Sequence, residues 1–343
     1  MISPLRLRLD AAALTRNWQT LAAMSGRAAC GAAVKANGYG LGATDVVARV
    51  AAAGCRDFFV ATWAEAAVIA PLGVTVSVLH GVRAEDMDAA RSLAGVRPVL
   101  SSAAQVARWK AAGGGLCDVM VDTGMNRLGV SAEEIRGGLL DGLAIDTLMS
   151  HLACADENVA MNAGQRGALL GVADRVTARR LSLANSAGIA LGPDYAFDLT
   201  RPGLALYGGV PRGEFVGRIA QVATPEAQVL QCRRLRGGDT IGYNATFTAP
   251  RDMPVVILNI GYADGYRRGF SNSGIARVGD STLPVIGRVS MDLIAIDISA
   301  APTLGEGDWV ALDYNLPEAA ARSGVSQYEL LTGLGARFKQ VWC

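Results

Sequence analysis

The chain begins with a strict alternation. Leu5-Arg6-Leu7-Arg8-Leu9 puts an apolar residue at every second position, the period of a strand with one buried face. From about Asp10, a residue suited to cap a helix, the period lengthens to that of an amphipathic helix running to Met24. Short apolar runs then alternate with alanine-rich helical stretches. Strands are expected near residues 30–35, 58–62, 74–79, 98–101, 118–122, 147–151, 181–184 and 204–207. Helical patterns lie between most of them, at 43–53, 63–71, 84–93, 103–112 and 161–178. Eight strands with intervening helices predict a (β/α)8, TIM-like barrel. Periodicity alone leaves a doubly wound open sheet as an alternative.

After about Arg218 the helical stretches shrink. Apolar β-type runs at 228–235, 253–260, 275–278, 283–286, 293–298 and 309–312 follow one another, several separated by glycine turns. The expected organisation is α/β: a barrel over residues 1–218, then a mostly β C-terminal domain over 219–343. The first strand is a candidate to pair with the second domain. A short helical segment at 326–334 closes the chain.

Composition narrows the function. A net charge of +1 argues against nucleic acid or an anionic membrane as the main partner. No run of about twenty apolar residues is present, and the N-terminus lacks the charged start and apolar core of a secretory signal. The six cysteines are scattered, which suits reduced thiols in a cytoplasmic protein. No Cys/His cluster has zinc spacing, so no metal site is expected. Gly113-Gly114-Gly115 lacks the strand–turn–helix context of a nucleotide-binding loop and reads as a flexible loop.

The candidate chemistry starts at residues 31–42, where a run of small apolar residues delivers Lys35 to a glycine-rich turn. A lysine in apolar surroundings loses its proton more readily and becomes a candidate nucleophile or Schiff-base former. Catalytic groups of a barrel collect at the C-terminal ends of its strands. Those ends carry Lys35, Arg127, His151, Ser186 and Arg201.

Val34-Lys35-Ala36-Asn37-Gly38-Tyr39-Gly40 resembles the pyridoxal 5'-phosphate lysine motif of the alanine racemase family. Five further stretches agree, in the family's order: residues 121–129 (VDTGMNRLG), 184–187 (ANSA), 201–208 (RPGLALYG), 261–266 (GYADGY) and 287–292 (GRVSMD). The resemblance spans nearly the whole chain and implies a barrel followed by a β domain. It implies a two-base racemisation of L- and D-alanine. Lys35 carries the cofactor and acts on D-alanine, and Tyr262 acts on L-alanine from the partner subunit of a homodimer with shared active sites. It further implies that His151 contacts the tyrosine and that Arg201 contacts the histidine and faces the pyridine nitrogen. An arginine keeps its proton, so that nitrogen stays unprotonated. Tyr39, Ser186 and the backbone at Gly203 and Leu204 would hold the phosphate. Arg127 would bind the substrate carboxylate or steady the cofactor's phenolic oxygen, and the Met291 amide would meet the carboxylate from the partner subunit.

Three positions depart from the family pattern. Many members have histidine at the position of Leu41, lysine at that of Met120, and a phosphate-contacting tyrosine at that of Ala336. The departures leave both bases intact and bear on substrate breadth and cofactor affinity. A serine or broad-specificity racemase is therefore the first alternative. A non-catalytic barrel carrying the same cofactor would lack Tyr262 and the 287–292 motif. A decarboxylase of related fold would need an acid in place of Arg201.

Overall fold

The computed structural model describes residues 3–343. The chain divides into two compact units, one of residues 14–220 and one that joins residues 3–13 to residues 221–343.

In the first unit, seven parallel strands form one sheet in chain order. They are Ala32–Ala33, Asp57–Val60, Thr75–Val78, Val96–Leu100, Cys117–Met120, Ile145–Met149 and Ala178–Ser182. The eighth strand is not the apolar run at 204–207, which forms a 3-10 turn (Leu204–Tyr207) buried throughout. It is the two-residue Leu199–Thr200, paired in parallel with Ala29–Cys30. Asp198 N donates to Leu181 O and Arg201 N to Ala184 O, which joins this strand to the seventh and closes the ring. Val96–Leu100 and Ile145–Met149 are buried at every position, polar residues included, so they show no alternation. The main helices are Ala43–Ala53, Trp63–Ile69, Met87–Ser92, Ala103–Ala111 and Ala160–Ala173.

The interior toward the N-terminal ends of these strands is ionic. Arg97 Nε donates to Asp118 Oδ2 at 2.9 Å, and its Nη2 lies 2.8 Å from Asp146 Oδ2. Arg180 reaches Asp57 at 2.8 Å and Asp146 at 2.6 Å. Ser77 and the Thr147 amide supply further hydrogen bonds to Asp118, which is fully buried.

In the second unit, Leu5–Leu9 buries its three leucines and pairs antiparallel with the long strand Ala223–Leu235. The latter also pairs with Met253–Leu258 and Trp309–Leu312. With Ile275–Val278, Ser281–Ile286 and Ile294–Asp297 these strands close into a small antiparallel barrel. Leu235, Met253, Val255 and Ile286 lie in part of its core. The chain does not end on the helix at Gln327–Thr332. A last strand, Lys339–Trp342, runs parallel to Leu5–Leu9 on the side away from Ala223–Leu235. A helix at Leu316–Ser323 was also outside the sequence expectation.

Candidate active site

Lys35 follows the first barrel strand and opens a turn of unusual hand. Ala36, Asn37, Gly38, Tyr39 and Gly40 have φ of 53°, 54°, 63°, 55° and 88°. Five consecutive residues therefore lie in the left-handed region, three of them with a Cβ that disfavours it. Hydrogen bonds hold the turn: Gly38 N to Val34 O at 2.8 Å, Gly40 N to Ala36 O at 2.9 Å, and Ala43 N to the Asn37 side chain at 2.9 Å. Glu65 bonds the Ala36 amide at 2.8 Å and the Ala61 amide at 2.7 Å. Its sequence signal is the Thr62-x-x-Glu65 capping box, which the structure forms. Leu41 is wholly buried, so the position where many relatives carry histidine serves here as core.

The coil turns the Tyr39 ring inward, where it stacks on Tyr207 with centroids 4.5 Å apart. Tyr207 is completely buried, and its hydroxyl donates to Ala33 O at 2.8 Å. A Cβ on Gly203 would stand 2.3 Å from the Tyr39 hydroxyl, so that glycine is what admits the phenol. Ser186 Oγ accepts from Gly203 N at 2.9 Å and Ala205 N at 3.2 Å. Asn185 caps the short turn after it by accepting from Gly188 N. Tyr39, Ser186, Gly203 and the adjacent Leu204 thus form one cradle of hydroxyls and amides.

Arg201 is buried, and burial pulls its guanidinium down to about 10, still protonated at neutral pH. It bonds the Ser182 hydroxyl and the Ser150 carbonyl. No carboxylate pairs with it and no hydrogen bond joins it to the His151 ring, among the described residues. His151 follows Ser150. Gln165 bonds its carbonyl at 2.9 Å and the Ala153 amide at 2.9 Å. Burial, reinforced by the charges of Arg201, Arg127 and Lys35, lowers the His151 imidazole to about 3, so it is neutral. Lys35 is lowered chiefly by burial and then by the charge of Arg127, while Glu65 opposes the shift. These couplings put Lys35, Arg127, His151 and Arg201 within electrostatic reach at the C-terminal ends of the strands.

Arg127 is exposed, on a loop whose turn is set by Asp122 Oδ1 accepting from Gly124 N and Asn126 N. Met120, where a lysine is common, is buried at the end of its strand. Among the described residues no side chain pairs with the Arg127 guanidinium.

Tyr262 and Met291 belong to the second unit. Tyr262 opens a 3-10 turn (Tyr262–Asp264), and both side chains are exposed, at 38% and 54%. Tyr262 N donates to Ser290 O and Ala263 N to Met291 O, each at 3.0 Å. A Cβ on Gly261 would lie 2.3 Å from Met291 O, so only glycine allows the two turns to touch. Tyr266 anchors the turn from behind, stacked on Phe270 at 4.4 Å.

The residues present suit a phosphorylated aldehyde. The lysine has a depressed ammonium, the cradle gathers the Tyr39 and Ser186 hydroxyls at a glycine turn, and a buried arginine lacks a carboxylate. Sequence reasoning missed Glu65, Gln165, Asp264 and Arg337, which hold the site's segments without themselves belonging to its motifs' reactive positions.

Two family models match, the N-terminal domain of alanine racemase over residues 9–211 and its C-terminal domain over 222–342. An alanine racemase of Acidiphilium cryptum is 40% identical, with 98% of each chain covered. Relatives in Agrobacterium fabrum named catabolic and biosynthetic alanine racemase are 39% and 38% identical, covering 97% and 98% of this chain and 91% and 93% of their own. Among solved structures, an alanine racemase of Bartonella henselae with covalently bound pyridoxal phosphate superposes with a TM-score of 0.90 at 32% identity, covering 100% of both chains.

Proposed function

The chain belongs to the alanine racemase family, and we propose that it interconverts L- and D-alanine with pyridoxal 5'-phosphate carried on Lys35. The observation that carries this reading is the partly buried Lys35 at the barrel's strand ends, beside the cradle of Tyr39, Ser186, Gly203 and Leu204. The cofactor, when bound, supplies an electron-withdrawing ring that acidifies the α-hydrogen of the amino acid.

Tyr39 Oη, Ser186 Oγ and the Leu204 amide would hold the phosphate dianion, for which hydroxyls and turn amides are suited, with Gly203 admitting the phenol and its amide steadying Ser186 Oγ. Arg201 donates toward the ring nitrogen and keeps its own proton, so that nitrogen stays unprotonated. Arg127 binds the substrate carboxylate, joined by the Met291 amide of a second copy of the chain. Lys35 Nζ takes the α-proton from D-alanine, and burial with the charge of Arg127 disfavours its charged form, the direction a base requires. Tyr262 Oη of the second copy takes it from L-alanine. A phenol with an ordinary pKa of about 10 is a weak base at neutral pH and needs a partner. His151, held neutral, donates a ring N–H to that oxygen in this reading, and the positive charge of Arg201 nearby adds to it; both favour the phenolate that removes the proton. The working protein is a homodimer in this reading, and the exposed Tyr262 and Met291 support it. The cysteines suit a reducing, cytoplasmic setting: Cys30, Cys55 and Cys117 are buried thiols.

The test uses the purified chain with pyridoxal phosphate and single-enantiomer amino acids in deuterated water. Loss of optical rotation and α-deuterium incorporation with alanine are expected. No exchange with any amino acid refutes the reading. A serine or broader racemase is favoured by one feature, the missing phenol at the exposed Ala336, and exchange faster with serine than with alanine would establish it. Lys35→Ala should abolish the visible band of the bound cofactor. Tyr262→Ala should keep the band and impair proton removal from L-alanine.

A further inference from the structure

Tyr262 and Met291 stand on two turns that a single arginine bridges. Asp264 lies two residues beyond Tyr262 and is 1% exposed. Its Oδ2 accepts from Gly261 N at 2.9 Å, which closes the turn on itself. Its Oδ1 accepts from Arg337 Nε at 2.6 Å. Arg337 Nη1 donates at 2.8 Å to Asp292 Oδ1, one residue beyond Met291. Gly335 N donates to Asp264 O at 3.0 Å, so the segment that delivers the arginine is bonded to the tyrosine turn as well.

The bridge is built on tight backbone packing. A Cβ on Gly261 would meet Met291 O at 2.3 Å, and one on Gly265 would meet Gly333 O at 2.2 Å. The three segments, at 261–265, 290–292 and 333–337, therefore lie backbone to backbone. What such packing leaves free is sliding of one turn along the other, and a charged fork with a bond to each turn opposes that. A guanidinium suits the task because its donors diverge in one plane at fixed angles, whereas an ammonium is a point charge on a flexible stem. The Arg337 side chain is 50% exposed and Asp292 48%, so that arm contributes little to overall stability, whereas the arm on Asp264 partners a buried carboxylate.

We propose that Arg337 is a positioning residue that locks the Tyr262 and Met291 turns into one rigid piece. The second base and the carboxylate-binding amide then reach the substrate in a fixed relation. The proposal rests on the reading of Tyr262 as the base for L-alanine. Asp264 fixes the arginine from the buried side, and Asp292 transmits the constraint to Met291.

The test compares Arg337→Met, Arg337→Lys and Asp292→Asn with the unmodified full chain, loaded with cofactor. Amide hydrogen exchange is followed across all segments. Isotope effects on turnover are measured with α-deuterated L-alanine and α-deuterated D-alanine. In Arg337→Met the amides at 261–264 and 290–293 should exchange about tenfold faster, with the barrel strands unchanged, as expected for loss of a charged hydrogen bond. The isotope effect should rise from the L side, where the tyrosine step becomes more limiting, and fall from the D side. Arg337→Lys should recover part of both effects. Asp292→Asn keeps the Asp264 bond and should move both readouts less, in the same direction. It carries the test if Arg337→Met does not fold. Unchanged exchange in both turns overturns the proposal, as do isotope effects that shift equally for the two enantiomers. Tyr262→Phe separates this from the underlying reading. If that variant keeps the unmodified turnover and L-side isotope effect, Tyr262 is not the base, while amide exchange still reports whether Arg337 joins the turns.

Discussion

One added methyl group, Gly203→Ala, probes the cradle directly. The new Cβ would stand 2.3 Å from the Tyr39 hydroxyl, 3.0 Å from its Cζ and 3.5 Å from the Ala33 Cβ. The contact is with the far end of the Tyr39 side chain, so it is the phenol that must yield. Restoring ordinary contact requires the hydroxyl to move by about 1 Å. The ring has little room to do so. It is 6% exposed and stacked on Tyr207, whose own hydroxyl is pinned to Ala33 O. The variant should lose about 1–3 kcal/mol of stability through overpacking. The proposed phenol–phosphate hydrogen bond, to a charged acceptor, is worth about 1.5–3 kcal/mol. Cofactor affinity should therefore fall by about one to two powers of ten. The assay is titration of cofactor-stripped protein with pyridoxal phosphate, following the visible band. Tyr39→Phe should lose a similar amount, and the double variant should bind no more weakly than Tyr39→Phe alone, because both changes remove one contact. Wild-type affinity in Gly203→Ala, or losses that multiply in the double variant, would refute the cradle.

Arg97→Met strands Asp118 in the barrel interior, while Asp146 keeps Arg180, and should cost about 3–5 kcal/mol in urea unfolding at pH 8. Burial already raises Asp118 above the ordinary carboxylate range, so the stranded charge can be relieved by a proton. The deficit should grow as pH rises through that raised value and shrink by pH 5; a loss under about 1 kcal/mol at pH 8 would show the network is not holding the floor. His151 has the opposite sense. Its folded pKa of about 3 lies below the ordinary 6.5, so its contribution is present above pH 6.5 and is lost as pH falls toward 3. His151→Gln should flatten the acid side of the stability profile in that window, and identical slopes in denaturant titrations would contradict the assignment. Arg201→Glu should raise transamination per racemisation event, measured as pyruvate formed, because a carboxylate favours a protonated ring nitrogen; an unchanged ratio sinks that role.

The barrel was legible in the sequence because its strands are buried on both faces and its helices keep their period. The 3-10 turn Leu204–Tyr207 misled for the same reason. A short apolar run reports burial, not whether the backbone is extended or coiled. The true eighth strand, Leu199–Thr200, is two residues long and exists only through its pairing with Ala29–Cys30. The closing strand Lys339–Trp342 contains lysine and glutamine and needs Leu5–Leu9 beside it, some 330 residues away, to define it. At the site, the reactive residues stand in recognisable local motifs. Their supports do not: Arg337 meets Asp264 across 73 positions and Asp292 across 45, and one sequence carries no sign of either pairing. The ionic floor is hidden likewise, since Arg97, Asp118 and Asp146 each look like a lone charge in a strand, and Arg180 like half of an arginine pair.

The left-handed coil after Lys35 has a thermal consequence. Its three non-glycine residues, Ala36, Asn37 and Tyr39, each hold about 1–2 kcal/mol of unfavourable backbone energy. That energy is restrained by a few bonds, chiefly those of Glu65 and the Asn37 side chain. On warming, this segment should melt before the strands around it, and it carries both the lysine and Tyr39. Release of the cofactor and the first local melting of the barrel would then be one event, at a temperature below that of global unfolding.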